Sequence, residues 1–164
     1  MVFGGQAVLL HGEFRVTRDI DITLGVEPAA AAPVLAVIGR LGLRILVSDV
    51  DEFLRQTFVL PAKDLESGIR IDFVFSLSQF ERDAIRRGVT VAYEDVDVRF
   101  VSVEDLIIQK IVAGRPRDLA DAKTVVLKNA EFDRGLVRHW LQKFDQELDT
   151  GFLQVFEHVL EKHA

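Results

Sequence analysis

At 164 residues, 49% of them hydrophobic, the chain is sized for one domain or a compact core with a short helical appendage, and its apolar surface excludes disorder. It has no cysteine, which excludes disulfides, thiolate metal sites and cysteine nucleophiles, so a metal would have to be held by oxygen or imidazole. A net charge of -6 opposes a long nucleic-acid footprint, and without a basic leader or an apolar run near the ~20 residues of a membrane span the chain reads as cytoplasmic.

Val2-Phe3-Gly4-Gly5 reads as a strand stub running into a glycine turn, followed by a short helix over Gln6 to Leu10 that ends near Gly12. Arg18 to Leu24 alternates charged and apolar residues, which predicts a half-buried strand with Ile20, Ile22 and Leu24 on one face and Asp19 and Asp21 on the other. Pro28 to Leu41 is alanine-rich and predicts a helix ending before Gly42. A helical turn is expected over Asp51 to Gln56, then strands over Thr57 to Leu60 and Ile69 to Phe75, separated by a polar turn from Asp64 to Gly68. In the second of these strands Ile71, Phe73 and Phe75 face opposite to Asp72 and Val74.

Gln79 to Arg87 predicts an amphipathic helix stopped by Gly88, and Val89 to Tyr93 with Val96 to Val101 predict a hairpin. The remainder reads as helix. Ser102-Val103-Glu104-Asp105 resembles a capping box opening a helix through Ala113, and Pro116 opens the next, through about Lys128. Phe132 to Phe144 and Phe152 to His163 carry helical apolar spacing. The fold class predicted is α/β (α+β), a mixed β-sheet flanked by helices, with residues 1–101 as the α/β core and 102–164 as a helical C-terminal part packed on it.

Asp19, Asp21 and Asp72 are the main candidates for chemistry. Residues two apart on a strand point the same way, and hard carboxylate oxygens suit Mg²⁺, which commonly takes one or two of them with phosphate oxygens. Two such ions would clamp the attacking and leaving oxygens of a phosphoryl-type displacement. For that, Asp72 must lie within about 8 Å of Asp19 or Asp21, since paired metals stand ~3.5–4 Å apart. The plain alternative is that Asp19 and Asp21 form the solvent face of an edge strand. Gly4-Gly5, before a helix N-terminus, can expose backbone amides to phosphate, or simply make a tight turn.

Lys110 sits on an otherwise apolar helix, where it either contacts phosphate or snorkels to solvent. Arg115, Arg117, Asp118 and Asp121 read as helix-end charges, Asp118 favourably placed near a positive N-terminus. With Arg82, Arg86 and Arg87 these cations are the ones available for a local basic cleft. Arg15 reads as a salt-bridge partner of the carboxylates, and Thr17 as a packing or capping residue. His11 reads as a helix-end residue, and His139, His158 and His163 as surface or packing residues. Trp140, Phe144, Phe152 and Phe156 recur at helical spacing, as core or a partner surface.

Gly4-Gly5-Gln6-Ala7-Val8, His11-Gly12, Arg15, Thr17 and Asp19-Ile20-Asp21 together resemble the first motif of nucleotidyltransferases of the DNA polymerase beta superfamily, and more narrowly of the AbiEii-type toxin group and its relatives. Ile71-Asp72-Phe73-Val74-Phe75 is similar to that group's second motif, and Lys110 followed by Arg115, Arg117-Asp118 and Asp121 to its third. The resemblance runs in order from Gly4 to about Val126.

It implies a nucleotidyltransferase fold and a metal-dependent transfer of NMP from an NTP to a hydroxyl acceptor, which would be RNA (such as a tRNA end), a protein or a small molecule. By the same resemblance Gly4 and Gly5 approach the triphosphate, with Arg15, Thr17 and Arg115 on the nucleotide side. Asp19 and Asp21 bind Mg²⁺ or Mn²⁺, as two ions, and Asp72 is the third carboxylate and general base. Lys110 contacts phosphate, with Asp118 and Asp121 orienting it or the nucleotide. Members of the group usually carry a helix and a full first strand before the glycine pair, whereas three residues precede Gly4 here, so an N-terminal helix is expected to be missing. Partners expected are the NTP, an acceptor RNA or partner protein, and a second copy in a homo-dimer or a toxin–antitoxin partner, with no membrane contact. The alternatives are an inactive or weakly active binding module of the same fold and a structural α/β protein with an acidic face.

Overall fold

A computed structural model describes residues 1–14, 16–76 and 78–161. Among these, the elements run β1 (Val2–Phe3), α1 (Gly4–His11), β2 (Asp19–Leu24), a 3-10 turn (Pro28–Ala30), α2 (Ala32–Arg40), β3 (Arg44–Ile45), α3 (Val50–Thr57), β4 (Val59–Lys63), β5 (Arg70–Phe75), α4 (Gln79–Arg87), β6 (Val89–Tyr93), β7 (Val96–Phe100), α5 (Val103–Ala113), α6 (Pro116–Lys128), α7 (Arg134–Leu148) and α8 (Phe152–Glu161). None of the described helices is long and apolar enough to cross a membrane.

The chain forms two compact units, Met1–Gln6 with Val16–Phe100, and Ala7–Arg15 with Val101–Ala164. The first holds a seven-stranded mixed sheet in the order β3-β4-β5-β2-β1-β7-β6. Strand β2 is parallel to β5 and antiparallel to β1, and β1 is parallel to β7. Asp19 and Asp21 therefore lie in the middle of the sheet, and the edge-strand alternative is set aside. One face of β2, β4 and β5 carries the core: Ile22, Leu24, Leu60, Ala62, Ile71, Phe73 and Phe75 pack with Ile38 of α2 and Leu54 of α3. Their alternation leaves Asp19, Asp21 and Asp72 on the opposite face.

Local signals explain the helix limits. Asp49 caps α3 by accepting from the Glu52 amide at 2.9 Å, and Phe58 ends it in the left-handed region at φ 58°. Ser78 and Glu81 make a reciprocal capping box at α4, which satisfies two otherwise orphaned amides. Strand β3 has no signature in the sequence, because two residues carry no alternation to detect.

In the second unit, Ser102 caps α5 by accepting from the Asp105 amide, and Gly114 closes that helix at φ 65°. Leu106, Ile107, Ile108 and Ile111 are all fully buried, as a helix apolar around most of its circumference must be. The segment that follows Gln6 in α1 packs with the C-terminal helices. Ala7 and Val8 are buried, the His11 ring Nε2 lies 2.8 Å from the Val101 carbonyl, and Asn129 Nδ2 donates to the His11 carbonyl at 2.7 Å. Among the aromatics, Trp140 and Phe156 are buried. Phe132 meets Phe156 edge-on at 6.3 Å and Trp140 meets Phe144 at 5.9 Å. These aromatics pack among the helices of this unit.

Candidate active site

The sheet brings two of the three sequence-predicted carboxylates side by side. Asp21 on β2 is the register partner of Asp72 on β5, and in a parallel pair register partners share a face. Neighbouring strands lie about 4.8 Å apart, inside the ~8 Å that sharing a metal pair requires. Asp19 follows two residues away on the same face. Thr17 Oγ1 donates to Asp19 Oδ1 at 2.9 Å, so the hydroxyl orients that carboxylate.

Gly4 sits at the first position of α1 with φ 62°, a conformation costly for any residue with a side chain. A Cβ there would also overlap Asp21 Oδ2 and stand 2.9 Å from Asp21 Cγ. The Asp21 carboxylate thus lies against the backbone of Gly4, at the positive end of a helix. Phe3, the residue before it, pairs with Asp21 across β1 and β2. Gly5 is buried. The glycine pair belongs to the helix itself, so α1 begins two residues earlier than its apolar pattern suggests.

A further charged side chain, Arg70, lies on this face. Arg70 is the register partner of Asp19, and its Nε donates to Asp72 Oδ1 at 2.8 Å. The hydrogen bond to Asp72 raises the basicity of Arg70, and with the charges of Asp72, Asp19 and Asp21 it outweighs the opposing effect of desolvation.

In the helical unit the third predicted motif folds into a buried ion cluster. Lys110 Nζ lies 2.8 Å from Asp118 Oδ1 and 2.8 Å from Asp121 Oδ2, with side-chain exposures of 9%, 4% and 7%. The geometry follows from the chain reversal. Gly114 ends α5 in the left-handed region and Pro116 opens α6, which turns the last turn of α5 toward the first turns of α6. Asp118 and Asp121, three apart, share one face of α6. Burial pushes the Asp118 carboxyl up, but hydrogen bonds from Arg115 and Lys110 outweigh it and hold it below the usual range. Lys110 does not snorkel to solvent. Arg115 is 76% exposed at the rim of this cluster.

Arg15 and His163 lie outside the described residues. His139 and His158 are exposed. Among the described residues no three histidine or carboxylate side chains converge closely enough to hold one metal ion. The donor chemistry nonetheless fits Mg²⁺ or Mn²⁺, since paired carboxylates with substrate phosphates and water are an ordinary ligand set for these ions.

A protein-family match covers residues 1–149 and carries the description "Nucleotidyltransferase of unknown function (DUF6036)". The chain belongs to this nucleotidyltransferase family. No curated protein sequence matches it. In fold, this DUF6036 member is similar to an antigenic nucleotidyltransferase-like protein from Paracoccidioides brasiliensis, with a TM-score of 0.54 and 14% identity over 90% of this chain and 79% of that one. It is similar also to the antibiotic-resistance factor ANT(2'')-Ia, with a TM-score of 0.54 and 18% identity over 99% and 87% of the two chains. Identities this low speak to fold and leave the acceptor open. The mixed sheet with helices expected from sequence is the nucleotidyltransferase fold.

Arg70 is the site residue that sequence reasoning missed. The signal was present, because the same period-two alternation that joins Asp19 to Asp21 puts Arg70 beside Asp72 on one face.

Proposed function

We propose that the protein transfers a nucleoside monophosphate from an NTP to a hydroxyl acceptor, using Asp19, Asp21 and Asp72 with Mg²⁺ or Mn²⁺. The observation that carries this reading is the register pairing of Asp21 with Asp72 on adjacent parallel strands, with Asp19 on the same face and the α1 N-terminus against Asp21.

The acceptor oxygen forms a bond to the α-phosphorus as the bond to the α,β-bridging oxygen breaks, and pyrophosphate leaves. Such chemistry depends on positioning and charge neutralisation more than on a covalent nucleophile. One or two divalent ions, when bound, supply neutralisation of the phosphate and leaving-group charge. Asp19, Asp21 and Asp72 would hold them, Thr17 Oγ1 orients the Asp19 carboxylate, and Asp72 would also accept the acceptor's proton. Gly4 and Gly5 let phosphate oxygens approach the amides that open α1. Lys110, held by Asp118 and Asp121, is the phosphate-contacting cation in the resemblance to AbiEii-type enzymes, with Arg115 beside it. The acceptor class is RNA, protein or a small molecule.

Calorimetric titration with each NTP in the presence of Mg²⁺ tests this reading. Binding by the wild type and its loss in Asp19→Ala/Asp21→Ala are expected. Wild-type binding that survives the double substitution contradicts the assignment of the carboxylates. A wild type that binds no NTP overturns the transfer reading.

A further inference from the structure

Arg70 is unused by the transfer chemistry above, yet it shares the sheet face with all three carboxylates. As the register partner of Asp19 and two residues from Asp72, it presents its guanidinium to the cluster, and Nε occupies Asp72 Oδ1 at 2.8 Å. Its electrostatic coupling extends to Asp19 and Asp21. The Arg70 side chain is 52% exposed and the Asp72 side chain 17%. The arginine can therefore swing into solvent without unpacking a core, while the aspartate stays fixed by its strand.

We propose that Arg70 is a positioning residue that gates Asp72: it holds Oδ1 until a divalent cation takes that oxygen, and the released guanidinium then turns to the triphosphate. This rests on the reading of the carboxylates as the metal and nucleotide site. A carboxylate oxygen engaged in a charge-assisted hydrogen bond is not free to ligate, and a fixed positive charge nearby opposes a second cation. Once displaced, a guanidinium seeks another anion, and its planar fork matches phosphate oxygens better than an ammonium does. Metal alone must then work against Arg70, whereas metal arriving with nucleotide gives Arg70 a new partner. The two ligands bind cooperatively, with reciprocal effects on each other's affinity.

The test uses the full chain and titrates Mn²⁺ calorimetrically, alone and with α,β-methylene analogues of the four ribonucleoside triphosphates. Arg70→Gln removes the charge and is expected to tighten binding of Mn²⁺ alone by roughly three- to tenfold, and to shrink the gain in Mn²⁺ affinity that nucleotide brings by about tenfold. Arg70→Lys keeps the charge without the fork. It is expected to bind Mn²⁺ alone as the wild type does and to lose most of the coupling, which keeps the test intact if Arg70→Gln does not fold. Mn²⁺ affinity unchanged or weakened in Arg70→Gln, or coupling unchanged in Arg70→Lys, overturns the gate while wild-type binding leaves the carboxylate site standing. If no analogue supports Mn²⁺ binding to the wild type or either variant, the carboxylate site itself fails and the gate with it.

Discussion

Gly4 and Lys110 show how single residues fix the local geometry. Gly4 answers two demands, a left-handed φ of 62° and the closeness of the Asp21 carboxylate. Gly4→Ala is therefore expected to cost about 1–3 kcal/mol in chemical denaturation, and to weaken Mn²⁺ binding because Asp21 must move. An alanine variant of wild-type stability would refute this account of the turn. Lys110 bridges two buried carboxylates, and Lys110→Met removes this shared cation, leaving Arg115 on Asp118, at a cost of about 3–5 kcal/mol. In Lys110→Met/Asp118→Asn/Asp121→Asn most of that loss should return, since no uncompensated buried charge remains. If the triple variant is as unstable as the single one, charge burial is not the cause.

Among the elements, α8 depends on a cap supplied by α7. Asp145 accepts from the amides of Phe152 at 2.7 Å and Leu153 at 3.0 Å and from the Thr150 hydroxyl at 2.9 Å. Asp145→Ala is predicted to destabilise the protein by about 0.5–2 kcal/mol, read from the denaturation midpoint. Burial pushes the Asp145 carboxyl up, but the amides of Leu153 and Phe152 and the Thr150 hydroxyl bring it below its ordinary 3.8. With the folded value the lower one, the unfolded chain takes up the proton first as pH falls. The stabilisation is full above about pH 4 and is lost as pH drops through the folded value. Asp145→Asn should flatten the fall in unfolding free energy below about pH 4, and an unaltered slope would contradict this.

The elements that sequence located best carry their own punctuation. Helix α4, between Ser78 and Gly88, has the bounds expected, Gln79–Arg87. The strand carrying Asp72 was expected one residue longer than β5, and β4 runs on to Lys63 past Pro61. A proline there suggests a stop, but Pro61 is accommodated opposite Asp72. Register is what a single sequence does not contain. The alternation in β2 and in β5 is local, whereas the alignment of Asp21 with Asp72 is set by packing of Ile22, Phe73 and Leu60 in one core. The alternation puts Arg70 beside Asp72, and the register adds that it also lies beside Asp19.

For the molecule as a whole, the match over residues 1–149 places the chain in a nucleotidyltransferase family, and the carboxylate face of its mixed sheet is proposed to perform the transfer. The most direct test is incubation of the protein with α-labelled NTPs, Mg²⁺ or Mn²⁺, and whole-cell RNA and protein, comparing wild type with Asp21→Asn. Label covalently attached to one acceptor species is expected, reduced by at least about a hundredfold in the variant while its thermal unfolding stays close to wild type. Labelling that persists in a folded Asp21→Asn protein, or no labelling by the wild type with any of the NTPs, would contradict the transfer reading.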